Sequence, residues 1–333
     1  MNNARFFKSV LTLSLAFIIL VFPTRTAFSN TDNSADTTET YALTVTVWVE
    51  NSGAEPARDI SLNIPTMAQI NSPYQKVLSR IYSIEPISET ITTRGNKKAR
   101  LQVKRLAAGE KFPIKQTYII KLIPFSLSKK KEEINQSTGK QLQNYLQQEE
   151  KIESDSDKIR QVANALNGDS KPKTTSETLT FAKAAYDYTR DSLQYNLNAS
   201  SADKGALAGL REGEGTCVEY ASLFVALNRA AGIPARIVNG FAHYSKVLAD
   251  TSSSSRLEKQ RHQWAEFYLP GQGWIPVDPT LGTATNSRFG SLSAGYYIIQ
   301  NYGDLPISGS YKGGKLNISF DYSIEIDNVP STL

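Results

Sequence analysis

Gly213-Glu-Gly-Thr-Cys-Val-Glu-Tyr-Ala-Ser-Leu-Phe-Val-Ala-Leu-Asn-Arg-Ala-Ala-Gly-Ile-Pro234 holds the only cysteine in 333 residues. A glycine-bracketed turn leads directly into an apolar run. Val218, Ala221, Leu223, Phe224, Val225, Ala226, Leu227, Ala230 and Ala231 are apolar nearly all round the helical wheel. Such a helix belongs in the middle of a domain rather than on its surface. Gly232 suits the left-handed position after a helix, and Pro234 prevents continuation. Cys217 then sits in the first turn, where backbone N–H groups lack internal partners and the helix carries partial positive charge. A thiol in that place is favoured as thiolate and reads as a nucleophile. A buried structural cysteine is the competing reading.

A second stretch supplies what a thiol nucleophile needs. Arg261-His-Gln-Trp-Ala-Glu-Phe-Tyr-Leu-Pro-Gly-Gln-Gly-Trp-Ile-Pro-Val-Asp-Pro-Thr280 reads as a hairpin, two strands around a Pro-Gly-Gln-Gly turn. The chain has two histidines. His243 follows a strand and has no acid near it in sequence, whereas His262 has Asp278 across the hairpin and is the better base. Parity decides whether the two meet. A five-residue loop at 269–273 puts Asp278 opposite Trp264 and makes His262 its diagonal neighbour, about 7–8 Å away between backbones. A regular four-residue loop at 270–273 puts them on opposite faces unless a bulge intervenes.

The rest of the chain frames this pair of stretches. Residues 1–29 read as a signal peptide: Arg5 and Lys8 precede an apolar run at 10–22, and Ala27-Phe28-Ser29 fits cleavage after Ser29. Removing them takes Arg5, Lys8 and Arg25 and no acid, so the formal charge falls from +5 to +2. That is too weak to argue for nucleic acid. Export places the protein where disulfides form, and one cysteine cannot make an internal one. A periplasmic or secreted location is expected, with membrane contact only through the N-terminal segment.

Residues 38–128 alternate apolar and polar side chains with regular turns, beginning with Leu43, Val45, Val47 and Val49. They are expected to form an immunoglobulin-like β-sandwich. Residues 129–176 read as a helical linker that opens on a charge run at 129–133. A helix is expected from Ser176, and residues 177–333 are assigned to one catalytic domain whose C-terminal strands finish its sheet. No calcium-loop pattern is present, and two histidines with one cysteine do not make an ordinary zinc site. No metal or cofactor is expected, and nothing in the sequence bears on oligomeric state.

Three motifs in order carry a resemblance. Gly215-Thr-Cys-Val-Glu-Tyr-Ala221 with Arg229-Ala-Ala-Gly-Ile-Pro-Ala-Arg236, then His262-Gln-Trp-Ala-Glu266, then Gly273-Trp-Ile-Pro-Val-Asp-Pro-Thr280 resemble the transglutaminase-like superfamily. The likeness covers 178–280. It implies an α+β chain whose core is papain-like, with the cysteine helix against an antiparallel sheet. It implies a catalytic triad of Cys217, His262 and Asp278: nucleophile, proton carrier and orienting carboxylate. The Cys217 backbone N–H would be one oxyanion donor. In animal transglutaminases an upstream indole is the second, and this chain has no tryptophan between Trp48 and Trp264. Tyr195 or Gln194 is the substitute the sequence offers, although Tyr195 also suits simple packing, and Trp264 reads as a wall of the pocket. The expected activity is that of an exported thiol enzyme on peptide or protein amide bonds through a thioester. Hydrolysis is favoured and amine transfer is its sibling; envelope proteins or peptidoglycan peptides would be substrates. The competing class is a non-catalytic envelope binding or scaffold protein that works through the sandwich.

Overall fold

The computed structural model describes residues 5–9, 38–67, 72–129, 139–167, 171–243 and 255–325. The apolar run at 10–22 and the expected cleavage point lie outside them. So does most of the charge run at 129–133. No helix among the described residues is long and apolar enough to cross a membrane.

The first part of the chain is made of strands: β1 (Arg5–Ser9), β2 (Glu39–Asn51), β3 (Ala57–Thr66), β4 (Gln75–Tyr82), β5 (Ser88–Ile91), β6 (Lys97–Leu106) and β7 (Lys111–Leu122). The middle mixes helices and strands. After β8 (Phe125–Ser126) come α1 (Gly139–Gln143), α2 (Asp157–Asn167) and α3 (Thr175–Ser192). Then follow β9 (Gln194–Tyr195), α4 (Ala206–Glu212), β10 (Glu214–Gly215), α5 (Cys217–Ala230) and β11 (Ala235–Ala242). The short β12 (Ser255–Arg256) precedes the hairpin β13 (Arg261–Leu269) and β14 (Gly273–Val277), and β15 (Ser291–Leu292) ends this part. Three strands close the chain: β16 (Tyr297–Tyr302), β17 (Ile307–Lys312) and β18 (Leu316–Glu325). The contacts divide these elements into two units. One comprises 1–124, 245–261 and 293–333; the other comprises 125–244 and 262–292.

The first unit has two antiparallel five-stranded sheets, in the orders β1-β17-β3-β6-β5 and β12-β18-β2-β7-β4. Period-two alternation builds its core. Val47 and Val49 of β2 and Ile114 of β7 meet Ile60, Leu62 and Ile64 of β3 and Leu101 of β6, all fully buried. Burying each such side chain is worth about 1.5–3 kcal/mol.

Here the structure corrects the sequence reading. β17 pairs with β3, and β18 pairs with β2 along ten residues from Leu316↔Asn51 to Glu325↔Ala42. The alternation at β18 points to the catalytic domain's sheet, and β17 carries no strand signal in the sequence. Alternation marks a segment as strand but does not name its partner. The sandwich drawn over 38–128 is therefore incomplete without strands from the C-terminal end, and its immunoglobulin-like character reduces to strand-rich antiparallel sheets. The second unit in turn takes in the expected linker, residues 129–176, together with 125–128.

The second unit is built around α5. Every residue from Cys217 to Arg229 is buried, as an all-round apolar helix requires. It packs against α2, α3, α4 and β11. β14, β13 and β11 are successive neighbours in one sheet. α3 opens at Thr175 rather than Ser176, because Thr174 is its N-cap. Glu177 at the third position completes a capping box, accepting from the Thr174 N–H while donating its own N–H to Thr174 Oγ1. At the other end of α5, Gly232 has φ +84°, the left-handed stop expected before Pro234. A buried ion pair ties strand to strand: Arg236 on β11 donates to Glu266 on β13 at 2.7 Å, and the guanidinium lies 4.0 Å from the Trp274 ring centre.

Candidate active site

Cys217 is the first residue of α5, and the turn before it is held by a buried carboxylate. Glu219 Oε2 accepts from the Thr216 N–H at 2.9 Å and the Thr216 hydroxyl at 2.8 Å. Its Oε1 accepts from the N–H groups of Lys204 at 3.0 Å and Gly205 at 3.2 Å. One side chain thus fixes the start of the cysteine helix to a loop twelve residues upstream. Gly215 is required for this approach: a Cβ there would lie 2.5 Å from the Glu219 Cβ. The sequence reading passed over Glu219. The signal was present as Thr216-Cys-Val-Glu219, the capping-box spacing ahead of an apolar run.

The hairpin delivers the other two residues. Its register runs from Leu269↔Gly273 to Ala265↔Val277, and continuing it places Asp278 opposite Trp264. This is the odd-loop geometry. Gly271 and Gly273 take φ of +79° and +77°, which the tight turn needs. His262 and Asp278 therefore share a face, and His262 Nε2 lies 2.9 Å from Asp278 Oδ2. Asp278 is fully buried, and its other oxygen accepts from the N–H groups of Thr280 at 3.0 Å and Leu281 at 3.1 Å. Its orientation is thereby set by the backbone that follows it.

Burial pulls the His262 imidazole towards its neutral form. The charge and hydrogen bond of Asp278 oppose this, then those of Cys217, and the result is pushed up to about 10. Asp278 occupies Nε2, so the ring nitrogen available to the thiol is Nδ1. Cys217 is buried at 6% exposure and hydrogen-bonds the same ring. The Trp264 ring is fully buried and parallel to that of His262, with centres 6.2 Å apart. Trp264 thus backs the imidazole and is not exposed to a substrate, as the pocket reading would need. His243 is exposed just past β11; the histidine that meets Asp278 is His262.

Gln194 and Tyr195 form β9, which pairs in parallel with β10 immediately before Thr216. Gln194 N–H donates to Gly213 O and Asn196 N–H to Gly215 O, both at 2.9 Å. Both side chains are exposed, Tyr195 at 44%. The Tyr195 ring lies 6.4 Å from that of Tyr220, one turn beyond the cysteine. Among the described residues no group of three or more His, Cys, Asp or Glu side chains is placed to hold a metal ion.

Residues 160–279 match the family model of the transglutaminase-like superfamily core. They contain the cysteine helix, His262 and Asp278. This part of the chain is a transglutaminase-like core.

Curated relatives match shorter lengths of this chain. The protein YebA of Bacillus subtilis is 38% identical over 80 residues, 23% of this chain and 11% of that protein. A Haemophilus influenzae protein is 42% identical over 76 residues, 20% of this chain and 21% of its own. A protein-glutamine gamma-glutamyltransferase of Pseudomonas aeruginosa is 40% identical over 72 residues, 21% of this chain and 10% of that enzyme. The chain spans less than half the length of the curated relatives it matches, 44% at most. Among solved structures, a candidate cysteine protease of Cytophaga hutchinsonii is 17% identical with a TM-score of 0.47, covering 86% of this chain and 98% of that one. The periplasmic domain of TgpA from Pseudomonas aeruginosa is 18% identical with a TM-score of 0.41, covering 72% and 91%.

Proposed function

We propose that this protein is an exported thiol enzyme that opens peptide or protein amide bonds through a Cys217 thioester. The observation that carries the reading is the His262–Asp278 contact of 2.9 Å, in the same unit as the cysteine that hydrogen-bonds the same imidazole. The Cys217 sulfur attacks the acyl carbon while the carbonyl electrons move onto oxygen. As the tetrahedral species collapses, the C–N bond breaks and the His262 imidazolium gives its proton to the departing amine. The neutral ring then takes a proton from water, whose oxygen displaces the sulfur and releases a carboxylic acid. If an amine arrives in place of water, the same thioester gives a new amide. The Cys217 backbone N–H and a donor from Gln194 or Tyr195 stabilise the oxyanion.

Hydrolysis is the favoured branch, and the basic-then-apolar pattern of residues 1–29, of which Arg5–Ser9 pairs with β17 in the uncleaved chain, supports a periplasmic or extracellular site of action. The test follows release of amines from casein in parallel with incorporation of a fluorescent primary amine into it. The wild-type chain is expected to do the first, and Cys217→Ala to do neither. Equal activity in Cys217→Ala would remove the enzyme reading and leave the scaffold role. Amine incorporation without cleavage would reassign the reaction to transfer.

A further inference from the structure

The first unit carries a charge asymmetry that the whole-chain composition hides. Residues 72–122 contain eleven lysines and arginines against three acids. Within this region the two sheets end at the same place. β4 is the outermost strand of one sheet and β5 of the other. Only residues 83–87 join them, and the Tyr82 hydroxyl donates to Glu89 Oε1 at 2.7 Å.

This edge exposes large aliphatic side chains. Leu78 is 55% exposed, Ile81 64%, Ile87 61% and Ile91 73%. Leu78 is pushed out by a bulge, where the β4–β7 register shifts between Val77 and Ser79. Exposed cations lie on the neighbouring strands: Lys76 on β4, Arg100 on β6 and Lys115 on β7. Lys97, opposite Ile91, pairs with Glu89, and Arg80 turns inward to Met67 O and the Tyr118 ring. Lys76 and Lys121 face each other directly across β4 and β7. Like charges directly opposite are destabilising, and an anionic group over them would offset the repulsion.

From this edge we infer a docking surface for the face of an anionic phospholipid bilayer. Branched aliphatics beside cations suit that partner on both counts: methyl groups enter the acyl boundary while ammonium and guanidinium groups meet headgroup phosphates. A soluble acidic polymer would use the cations and leave four exposed aliphatic side chains uncovered. An apolar protein groove would use the aliphatics and leave the facing lysines unneutralised.

Co-sedimentation of the full chain with vesicles tests the surface. The probes are phosphatidylcholine vesicles with and without about a third phosphatidylglycerol, in 0.1 M salt. The wild-type chain is expected to sediment with the anionic vesicles only. Ile81→Ser with Ile91→Ser should weaken binding by about tenfold or more. Lys76→Gln with Lys121→Gln should weaken it by about fivefold per lysine. All three proteins share residues 1–37, so the differences read the edge rather than the leader. Melting curves check that each variant is folded, and if one pair lowers the melting temperature the other still decides. Unchanged binding by the variants, equal binding to pure phosphatidylcholine, or capture by poly-glutamate beads with no loss in the Ile variants would each overturn the inference.

Discussion

His262 meets Asp278 at 2.9 Å because the turn between their strands contains an odd number of residues. With Leu269 paired to Gly273, three residues close the hairpin, and every second side chain on β13 shares a face with every second one on β14. One inserted glycine after Gly271 moves Asp278 to the opposite face, whereas two restore it. The single insertion should therefore abolish rapid alkylation of Cys217 near pH 6, and the double insertion should retain most of it. Equal loss in both would mean that the turn itself, rather than its parity, positions the pair.

The raised imidazole gives a pH dependence of defined sign. The folded-state value, about 10, lies above the ordinary 6.5. The stability it contributes is thus fully present below about pH 6.5 and is lost as pH rises through about 10. Denaturant midpoints should fall between pH 8 and pH 10.5 in the wild type. Asp278→Asn removes the strongest group raising the imidazole and should flatten that fall, along with lowering stability at pH 7. A wild-type midpoint that is constant up to pH 10.5 would show that His262 is neutral in the fold.

Glu219 is a positioning residue for the nucleophile. Its four donors are three N–H groups and one hydroxyl, so an amide in its place must turn an NH2 group towards at least one of them. Glu219→Gln should cost about 2–3 kcal/mol of stability and slow Cys217 alkylation with little change in KM. Gly215→Ala should act in the same direction, by about 1–3 kcal/mol, since its Cβ would meet the Glu219 side chain at 2.5 Å. Urea titration together with the kcat and KM pair checks both.

The Arg236–Glu266 pair is structural. Both side chains are buried, and the guanidinium also covers Trp274. Removing one partner leaves the other charge stranded, so Glu266→Gln should lower stability by about 3–5 kcal/mol. Replacing both by apolar residues of similar volume should cost much less. A double-mutant cycle read by thermal or urea unfolding separates these outcomes.

The two motifs that build the candidate site were legible because their evidence is local. An all-round apolar helix after Thr216 can only be central, and the spacing of His262, Trp264 and Asp278 states its own parity condition. What was not legible depends on partners far away in the chain. β18 alternates as a strand should, yet its ten-residue ladder on β2 joins residue 325 to residue 42. β17 was missed altogether, because Ser308-Gly309-Ser310 breaks the apolar alternation that marks a strand. Glu219 shows in the sequence only as a capping-box spacing; the loop at Lys204 and Gly205 that it gathers is visible only once folded. Trp264 was placed in a pocket, and its stacking behind His262 could not be read from a period of two.

The central claim is that His262 and Asp278 make Cys217 a poised nucleophile. It is tested most directly by the rate of iodoacetamide reaction at Cys217 at pH 6, compared among the wild type, His262→Ala and His243→Ala. The account predicts that the wild type and His243→Ala react faster than a free thiol, and that His262→Ala falls by about a hundredfold. A wild-type rate no faster than that of a free thiol, or unchanged in His262→Ala, would contradict it.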